Sequence, residues 1–163
     1  MYEVYVLVEK KKSLALKIFL GLCYIISILS VIFTIIGGYL FVLVALVCLL
    51  ITWFLQTRNY EFEYSYFDGD IRFAKIINKA NRKKLPGYNM SEVVMIAPAG
   101  DASVERYEKN PNARVRKLQS GFPDREVFVM VTNEGPELEL VYFEPDQKYL
   151  DAVCVKYGYK VRR

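Results

Sequence analysis

Residues 60–76, YEFEYSYFDGDIRFAKI, decide the fold of the polar part of this chain. Asp68 and Gly69 form a strong signal for a two-residue hairpin turn, and β-forming residues flank them on both sides. If these two residues make the turn, Tyr66 faces Ile71 across the hairpin. One face then holds Phe62, Tyr64, Tyr66, Ile71 and Phe73, and the other holds Glu61, Glu63, Ser65 and Arg72. The turn and the alternation favour the same register, so a β-hairpin is predicted here.

Further strands and one helix are predicted after the hairpin. Strand-forming runs begin at Glu92 (EVVMIAP), Arg125 (REVFVMVT) and Glu137 (ELELVYF), and the turn NEGP at 133–136 joins the last two. The run ARVRKL at 113–118 gives a weaker strand signal. The long polar segment 100–124 is predicted to be a loop, either a mobile insertion or a function-bearing segment. After Pro145 the period becomes that of an amphipathic helix, with Asp146 near its start. Its apolar face carries Tyr149, Leu150, Val153, Cys154 and Tyr157.

Two long apolar runs precede the hairpin. They cover residues 14–36 and 39–55, and Lys17 is the one formal charge between positions 14 and 55. A membrane-spanning helix needs about 20 mainly apolar residues, with a lower limit of about 17. A cleaved signal peptide would not be followed at once by a second apolar run, and the rest of the chain is too short to surround two helices that are apolar on every face. A transmembrane helical hairpin that turns at Gly37 and Gly38 is therefore predicted.

The charges beside the two runs predict their orientation. Lysines at positions 10–12 and at 17 precede or open the first helix, and Arg58 follows the second, while the connection between them is uncharged. Because positive charge favours the cytoplasmic side, both termini and the polar domain are expected in the cytoplasm. Tyr39 and Trp53 lie where interfacial aromatic residues are expected. The predicted domains are a cytosolic N-terminal segment (1–13), a two-helix transmembrane hairpin (14–57) and a cytosolic β domain (58–163). For the opening YEVYVLVE, an edge strand of the sheet and an extension of the first helix are the two alternatives.

Small side chains form one stripe on each apolar run. Lipid gives two helices no hydrophobic reason to associate, so small faces that allow close backbone approach are the expected contact surfaces. The packing candidates are Cys23, Ser27, Ser30 and Thr34 on the first run and Ala45, Cys48 and Thr52 on the second. Packing within the hairpin is the first interpretation, and an oligomer interface is the second. No charge lies deep in either run, which argues against a transporter or channel.

Composition argues against several classes of function. The chain has no histidine, and its three cysteines, Cys23, Cys48 and Cys154, show no CxxC spacing. No metal site and no cofactor are therefore predicted, and the cysteines are interpreted as buried free thiols. The net charge of +4 is too small to indicate a nucleic-acid-binding protein. The carboxylate pairs 61/63 and 137/139 have the spacing of one strand face, but no nucleophile or phosphate loop accompanies them, so an enzyme is not expected.

The chain also resembles known families. Residues 60–93, YEFEYSYFDGDIRFAKIINKANRKKLPGYNMSEV, resemble the first strands of the pleckstrin-homology-like (PH-like) domains of bacterial membrane proteins with two N-terminal helices. From MYEVYV through EYSY, KIINKANRKKL, MIAP and FEPDQKYL, the whole chain is similar to a family of small bacterial membrane proteins of unknown function. The resemblance implies an α+β, mainly antiparallel domain, a PH-like β-barrel or sandwich capped by a C-terminal helix, in the bacterial cell membrane. It implies no catalytic residues.

These observations lead to one functional interpretation and two alternatives. The first is a membrane-anchored cytosolic binding or assembly module for a protein partner or a second copy, engaged through a strand edge or the long loop. The second is a sensor of anionic lipid headgroups, because the second strand of the hairpin returns towards the membrane and brings a basic segment with it. That segment holds the headgroup candidates Lys79, Arg82, Lys83 and Lys84. An enzyme of unknown type is the third.

Overall fold

The computed structural model describes residues 3–57, 59–134 and 137–163. Residues 1 and 2, the flanking charge Arg58 and the second half of the predicted turn at 133–136 lie outside the described residues. The chain divides into two compact units. Lys11–Asn59 forms one, and the segments before and after it form the other. We call the first unit the helical hairpin and the second, after the resemblance noted in its sequence, the PH-like module.

The helical hairpin consists of two long helices. Helix α1 is Leu14–Gly37 and helix α2 is Leu40–Thr57, and both are apolar enough and long enough to cross a membrane. In their most apolar windows, 22% and 11% of the residues are buried. A core helix of a soluble protein would be mostly buried, so these helices need an apolar surrounding from elsewhere. Gly38, with φ +105°, joins them through a conformation that favours glycine.

The first sheet of the PH-like module is built around the predicted hairpin. Tyr66 pairs with Ile71, which confirms the predicted register. Asp68 and Gly69 both have positive φ, as a two-residue turn that matches strand twist requires. The strand order is β1-β2-β3-β4, all antiparallel, and β5 also pairs with β3. The strands are β1 (Glu3–Glu9), β2 (Tyr60–Phe67), β3 (Asp70–Ile77), β4 (Asn81–Lys84) and β5 (Tyr88–Asn89). The opening segment thus forms the edge strand β1, and part of the basic segment forms β4.

The second sheet has four strands in the order β6-β8-β9-β7. Its strands are β6 (Val93–Pro98), β7 (Arg114–Lys117), β8 (Phe128–Glu134) and β9 (Glu137–Phe143). Strand β7 runs parallel to β9, and the other pairs are antiparallel. Helix α3 (Ala102–Glu108) and β7 occupy much of the segment that was predicted to be a long loop, so the loop prediction is wrong. The weaker strand signal at 113–118 is confirmed by β7. Asp101 caps α3 by accepting a hydrogen bond from the Ser103 amide.

The main core lies between the two sheets and also takes in helix α4 (Gln147–Tyr157). Phe143 is fully buried at its centre, with ring centroids 5.7 Å from Tyr64, 5.9 Å from Phe73 and 6.1 Å from Tyr149. A smaller cluster, which includes Val104 of α3, covers the other face of the second sheet. No strand pairing joins the two sheets within the described ranges. The fold is therefore the sandwich form of the PH-like prediction, closed at one end by a helix, and not a closed barrel.

The hairpin turn gives a first prediction. Gly69 has φ +101°, and a Cβ atom there would lie 2.9 Å from the Tyr157 hydroxyl of α4. Gly121 has φ +84° but open space around it. We expect Gly69→Ala to lower the free energy of unfolding by about 2 kcal/mol and Gly121→Ala by about 1 kcal/mol, because only the first adds a close contact to the backbone strain. Urea unfolding of the full chain in detergent micelles measures both, and equal losses would contradict the role of the Tyr157 contact.

Candidate functional site

One face of the first sheet points away from the core of the PH-like module. We call this the outer face. Side chains that pair across the strands share it, so their positions follow from the register. It carries Glu3, Tyr5, Leu7, Glu9, Glu61, Glu63, Ser65, Arg72, Ala74, Ile76, Arg82 and Lys84. Neither helix of this module packs on it, because the buried side chains of α4 belong to the main core and that of α3 to the cluster behind the second sheet. Tyr5 and Leu7 are 55% and 60% exposed.

A groove of about 480 Å³ runs across this face. Ser65 and Ala74 make a floor of small, buried side chains. Tyr5 lines one side of the groove, and the cations Arg72 and Arg82 line the other with Lys84. Arg72 lies 3.6 Å from Asp70, and Arg82 donates a hydrogen bond to Glu63. The groove therefore combines an aromatic wall with cations that are partly neutralised by their own neighbours.

The predicted basic segment does not form one cluster. Arg82 and Lys84 lie on the outer face, opposite Ile76 and Ala74, whereas Lys83 pairs with Lys75 and has the opposite orientation. Lys79 lies in the turn before β4, where its φ is +57°. Arg82 is paired with Glu63, while the three lysines form no ion pair with any described residue. All of Asn81–Lys84 is exposed, so β4 is a strongly charged edge strand.

The four sheet edges differ in how they are protected. Lysine and arginine on an edge discourage pairing with other chains, and β4 and β7 both carry them. The edge of β6 is occupied in part, because Val161 forms a parallel bridge with Ile96 and the Arg162 amide donates to the Ile96 carbonyl. The free edge of β1 makes no backbone hydrogen bond to a described residue. Its charged side chains are confined to the two ends of the strand.

One contact shows which residues of β1 form hydrogen bonds with β2. The Lys10 amide donates to the Tyr60 carbonyl at 2.9 Å, so Lys10 and Tyr60 are a hydrogen-bonded pair. In an antiparallel ladder these pairs alternate with non-bonded ones. The even-numbered residues of β1 therefore bond to β2, and the backbone groups of Tyr5 and Leu7 point to the free edge. The same residues present exposed apolar side chains on the outer face.

A buried network that sequence reasoning missed ties the two sheets together. Glu139 of β9 is 5% exposed and accepts hydrogen bonds from the Tyr88 hydroxyl at 2.8 Å and from Arg116 Nε at 2.9 Å. Burial raises the pKa of Tyr88, and its hydrogen bond to Glu139 raises it further. Glu139 was noted in the sequence as half of a carboxylate pair, but its two oxygens are occupied by this network. The side chain of Glu137 lies outside the described part of the chain.

A second buried carboxylate was also missed. Glu144 is 4% exposed, and its Oε1 accepts hydrogen bonds from the backbone amide and the hydroxyl of Ser120, both at 2.8 Å. The Tyr64 hydroxyl donates to the Leu118 carbonyl at 2.6 Å. These contacts hold the segment after β7 against the core. The one signal in the sequence was a glutamate directly before Pro145, at the start of the predicted helix.

The small-residue stripes lie on the contact side of the helical hairpin. Leu20, Cys23, Ser27 and Ser30 are the buried residues of α1, and Ala45 and Thr52 are those of α2, while Thr34 and Cys48 are half-buried. The hydroxyls bond within their own helix, from Ser27 to the Cys23 carbonyl, from Thr34 to that of Ser30 and from Thr52 to that of Cys48. Because these three hydroxyls are satisfied within their own helices, the side chains serve the packing as small residues and not as polar links between helices.

Neither a metal site nor a disulfide is formed by the described residues. No group of three acidic or cysteine side chains is placed to hold a metal ion there, and Cys23, Cys48 and Cys154 are free thiols. Cys154 is half-buried and accepts a hydrogen bond from Arg163 at 3.5 Å. The features of the PH-like module that remain for interaction are the outer face, its groove and the free edge of β1.

Comparison with known proteins identifies the family. The family model for the bacterial PH-like domain, DUF6106, matches residues 2–163, so the chain belongs to that family. No curated protein and no solved structure matches the chain. The match covers the helices as well as the two sheets, and it agrees with the resemblance that the sequence indicated.

Proposed function

We propose that this member of the bacterial PH-like domain family is a membrane-anchored binding module whose partner is a protein. The observation that carries the proposal is the free edge of β1, where backbone groups that pair with no described residue adjoin the exposed side chains of Tyr5 and Leu7. An extended segment of the partner adds to this edge as a further strand and contacts the outer face. The proposal assigns no catalytic step to the chain.

The contrast between edges supports β1 as the docking strand. Strands β4 and β7 carry the charges that prevent pairing, and β6 is partly occupied by residues 161 and 162. An exposed edge without such protection is a site for strand addition. Main-chain hydrogen bonds would supply affinity, and the Tyr5 side of the groove would select the partner's side chains.

Site-specific crosslinking tests this docking mode. We expect a photoreactive amino acid at Tyr5 of the full chain, expressed in its native membrane, to capture one defined partner. The same amino acid at Tyr159, which is 81% exposed outside the first sheet, should not capture it. Leu7→Pro should reduce capture at least about fivefold because it removes an N–H that only the added strand uses, a loss of about 1 kcal/mol. Leu7→Ala keeps that N–H and should retain most of the capture. Capture that is equal at Tyr5 and Tyr159, or unaffected by Leu7→Pro, would reject strand addition at β1.

We also propose that the PH-like module and both chain ends face the cytoplasm. The support is the lysines at 10–12 before α1, together with an uncharged connection at Gly37 and Gly38. The test introduces one exposed cysteine at a time into a chain that carries Cys154→Ser, so that only the introduced cysteine of the exposed surface can react. With Lys109→Cys, an impermeant thiol reagent should label the protein only after the cells are opened. With Tyr39→Cys, it should label intact cells, and the reverse pattern would overturn the orientation.

Anionic lipid is a second candidate ligand, favoured by the three exposed lysines, 79, 83 and 84, that lack an ion pair among the described residues. Each basic residue near an anionic surface contributes about 1 kcal/mol. In nanodiscs with anionic lipid, acylation of Lys83 and Lys84 should slow relative to neutral nanodiscs and recover at high salt. Lys148 of α4, which is exposed, is the control. Acylation rates that are indifferent to lipid charge would exclude this candidate.

A further inference from the structure

A second cavity, of about 620 Å³, opens at the end of the outer face where β1 ends and β2 begins. Its apolar walls are Leu7, Ile76 and Phe122, the last from the segment between β7 and β8. Four charged side chains complete it: Glu9, Glu61, Lys79 and Arg125. The volume is within the usual range of small-molecule sites, about 300–1,000 Å³. All of these residues belong to the PH-like module.

The two carboxylates of the cavity lie where they repel each other. Glu9 and Glu61 are direct cross-strand partners on the outer face, and like charges in that position destabilise a sheet. The next carboxylate on β2, Glu63, is neutralised by Arg82. Neither Glu9 nor Glu61 has an ion pair with any described residue. Among the described residues, no cation lies within ion-pair distance of these two carboxylates.

The same cavity also contains two cations. Lys79 and Arg125 form no ion pair within the described ranges, although two carboxylates line the same space. A purely anionic ligand would meet Glu9 and Glu61, and a purely cationic one would meet Lys79 and Arg125. A ligand that carries both signs, joined by a short link, would satisfy all four.

We propose that this cavity binds a phosphoethanolamine group, with its ammonium at Glu9 and Glu61 and its phosphate at Lys79 and Arg125. The ammonium has three donors for the two carboxylates, and a guanidinium with an ammonium is a favourable pair of partners for phosphate. Phe122, Leu7 and Ile76 contact the glycerol and the first acyl carbons.

Glu9 is five positions before the first residue of α1, and Glu61 is four positions after the last residue of α2. A membrane lipid is therefore the source, and a soluble headgroup is the alternative that the experiment separates. The site does not depend on the proposed protein partner.

Native mass spectrometry of the full chain, released from detergent micelles after addition of lipids with equal acyl chains, measures the selectivity. We expect phosphatidylethanolamine to be retained at least about fivefold over phosphatidylglycerol, which corresponds to about 1 kcal/mol at 25 °C. Phosphatidylcholine should be retained less than phosphatidylethanolamine, because its quaternary ammonium donates no hydrogen bond to the carboxylates. Competition by water-soluble glycerophosphoethanolamine at the same concentration would identify a free headgroup compound as the ligand instead of the lipid.

Charge-neutral variants give results of opposite sign for the two lipids. The double variant Glu9→Gln/Glu61→Gln should lose retention of phosphatidylethanolamine about fivefold, because the ammonium of the lipid loses its carboxylate partners. It should gain retention of phosphatidylglycerol, because the carboxylates no longer repel the lipid phosphate. The control Glu105→Gln/Asp151→Asn makes the same change of charge at exposed positions away from the cavity and should alter neither. Thermal unfolding of each variant confirms that the module is folded.

Three results would overturn the proposal. Phosphatidylglycerol could be retained as well as or better than phosphatidylethanolamine. Retention of both lipids could rise in the Glu9/Glu61 variant, which would make the cavity a simple cation site. The control variant could change selectivity as much as the cavity variant, which would make selectivity a property of net charge. A loss of protein capture at Tyr5 would contradict the proposed protein partner and would leave this lipid proposal unaffected.

Discussion

Replacement of Phe143 by alanine is expected to lower the free energy of unfolding of the PH-like module by about 4 kcal/mol. The ring is fully buried and makes edge-to-face contacts with Tyr64 and Phe73 of the first sheet and with Tyr149 of α4. Each such ring pair contributes about 0.5–1.5 kcal/mol beyond the apolar area it buries. This one truncation therefore opens a cavity and weakens the packing of both sheets and α4 against each other.

Urea unfolding of the full chain in micelles, followed by near-ultraviolet circular dichroism, measures this loss. Phe143→Leu keeps much of the volume but none of the ring contacts and should cost about 1–2 kcal/mol. Tyr159→Ala, at a residue that is 81% exposed, should cost less than about 0.5 kcal/mol. A Phe143→Ala variant as stable as Tyr159→Ala would show that the core is not centred on this ring.

Glu139→Ala is expected to cost about 3 kcal/mol. The change leaves the hydroxyl of Tyr88 and the guanidinium of Arg116 without their acceptor, and the Arg116 side chain is only 22% exposed. A buried polar group that loses its partner bears its full desolvation cost. Glu105→Ala, which removes an exposed ion pair with Lys109, is the matched control and should cost under about 1 kcal/mol.

A double-mutant cycle separates the pair from its parts. Glu139→Leu and Arg116→Met should each destabilise the module, but the double variant should be more stable than the sum of the two losses implies, because it leaves no unpaired charge. Losses that simply add would show that Glu139 and Arg116 act independently. Restored stability in the double variant would show that a well-packed apolar pair can replace the Glu139–Arg116 ion pair.

The hairpin could be predicted because its signals are local. Asp68 and Gly69 specify the turn, and the alternation on both sides specifies which side chains face the core. Both signals are confirmed by the pairing of Tyr66 with Ile71. The amphipathic period of α4 was readable for the same reason, and its buried residues Tyr149, Leu150 and Val153 were all on the predicted face.

The edge strands gave weaker signals: β7 had only a weak strand pattern at 113–118, and β1 was one of two alternatives for the opening segment. All four residues of β4 are exposed, so the strand has no alternation of inward and outward side chains. Strand β7 depends on a parallel partner that is distant in sequence, and Arg116 acquires its role only through Glu139. Sequence reasoning placed the four basic residues of 79–84 together, but in a strand adjacent residues point to opposite faces, which separates Lys83 from Arg82 and Lys84.

Strands β1 and β2 are neighbours in the first sheet, yet Tyr60 is 51 positions after Glu9, and both helices lie between them. At about 5–20 residues per second, a ribosome makes that interval in about 3–10 s, during which β1 has no partner. Two membrane crossings return the chain to the compartment that contains β1. A chain threaded through the bilayer only once would have the two strands in different compartments, and its sheet would lack an edge. In the proposed topology, the sheet can therefore be completed only after both helices have crossed the membrane.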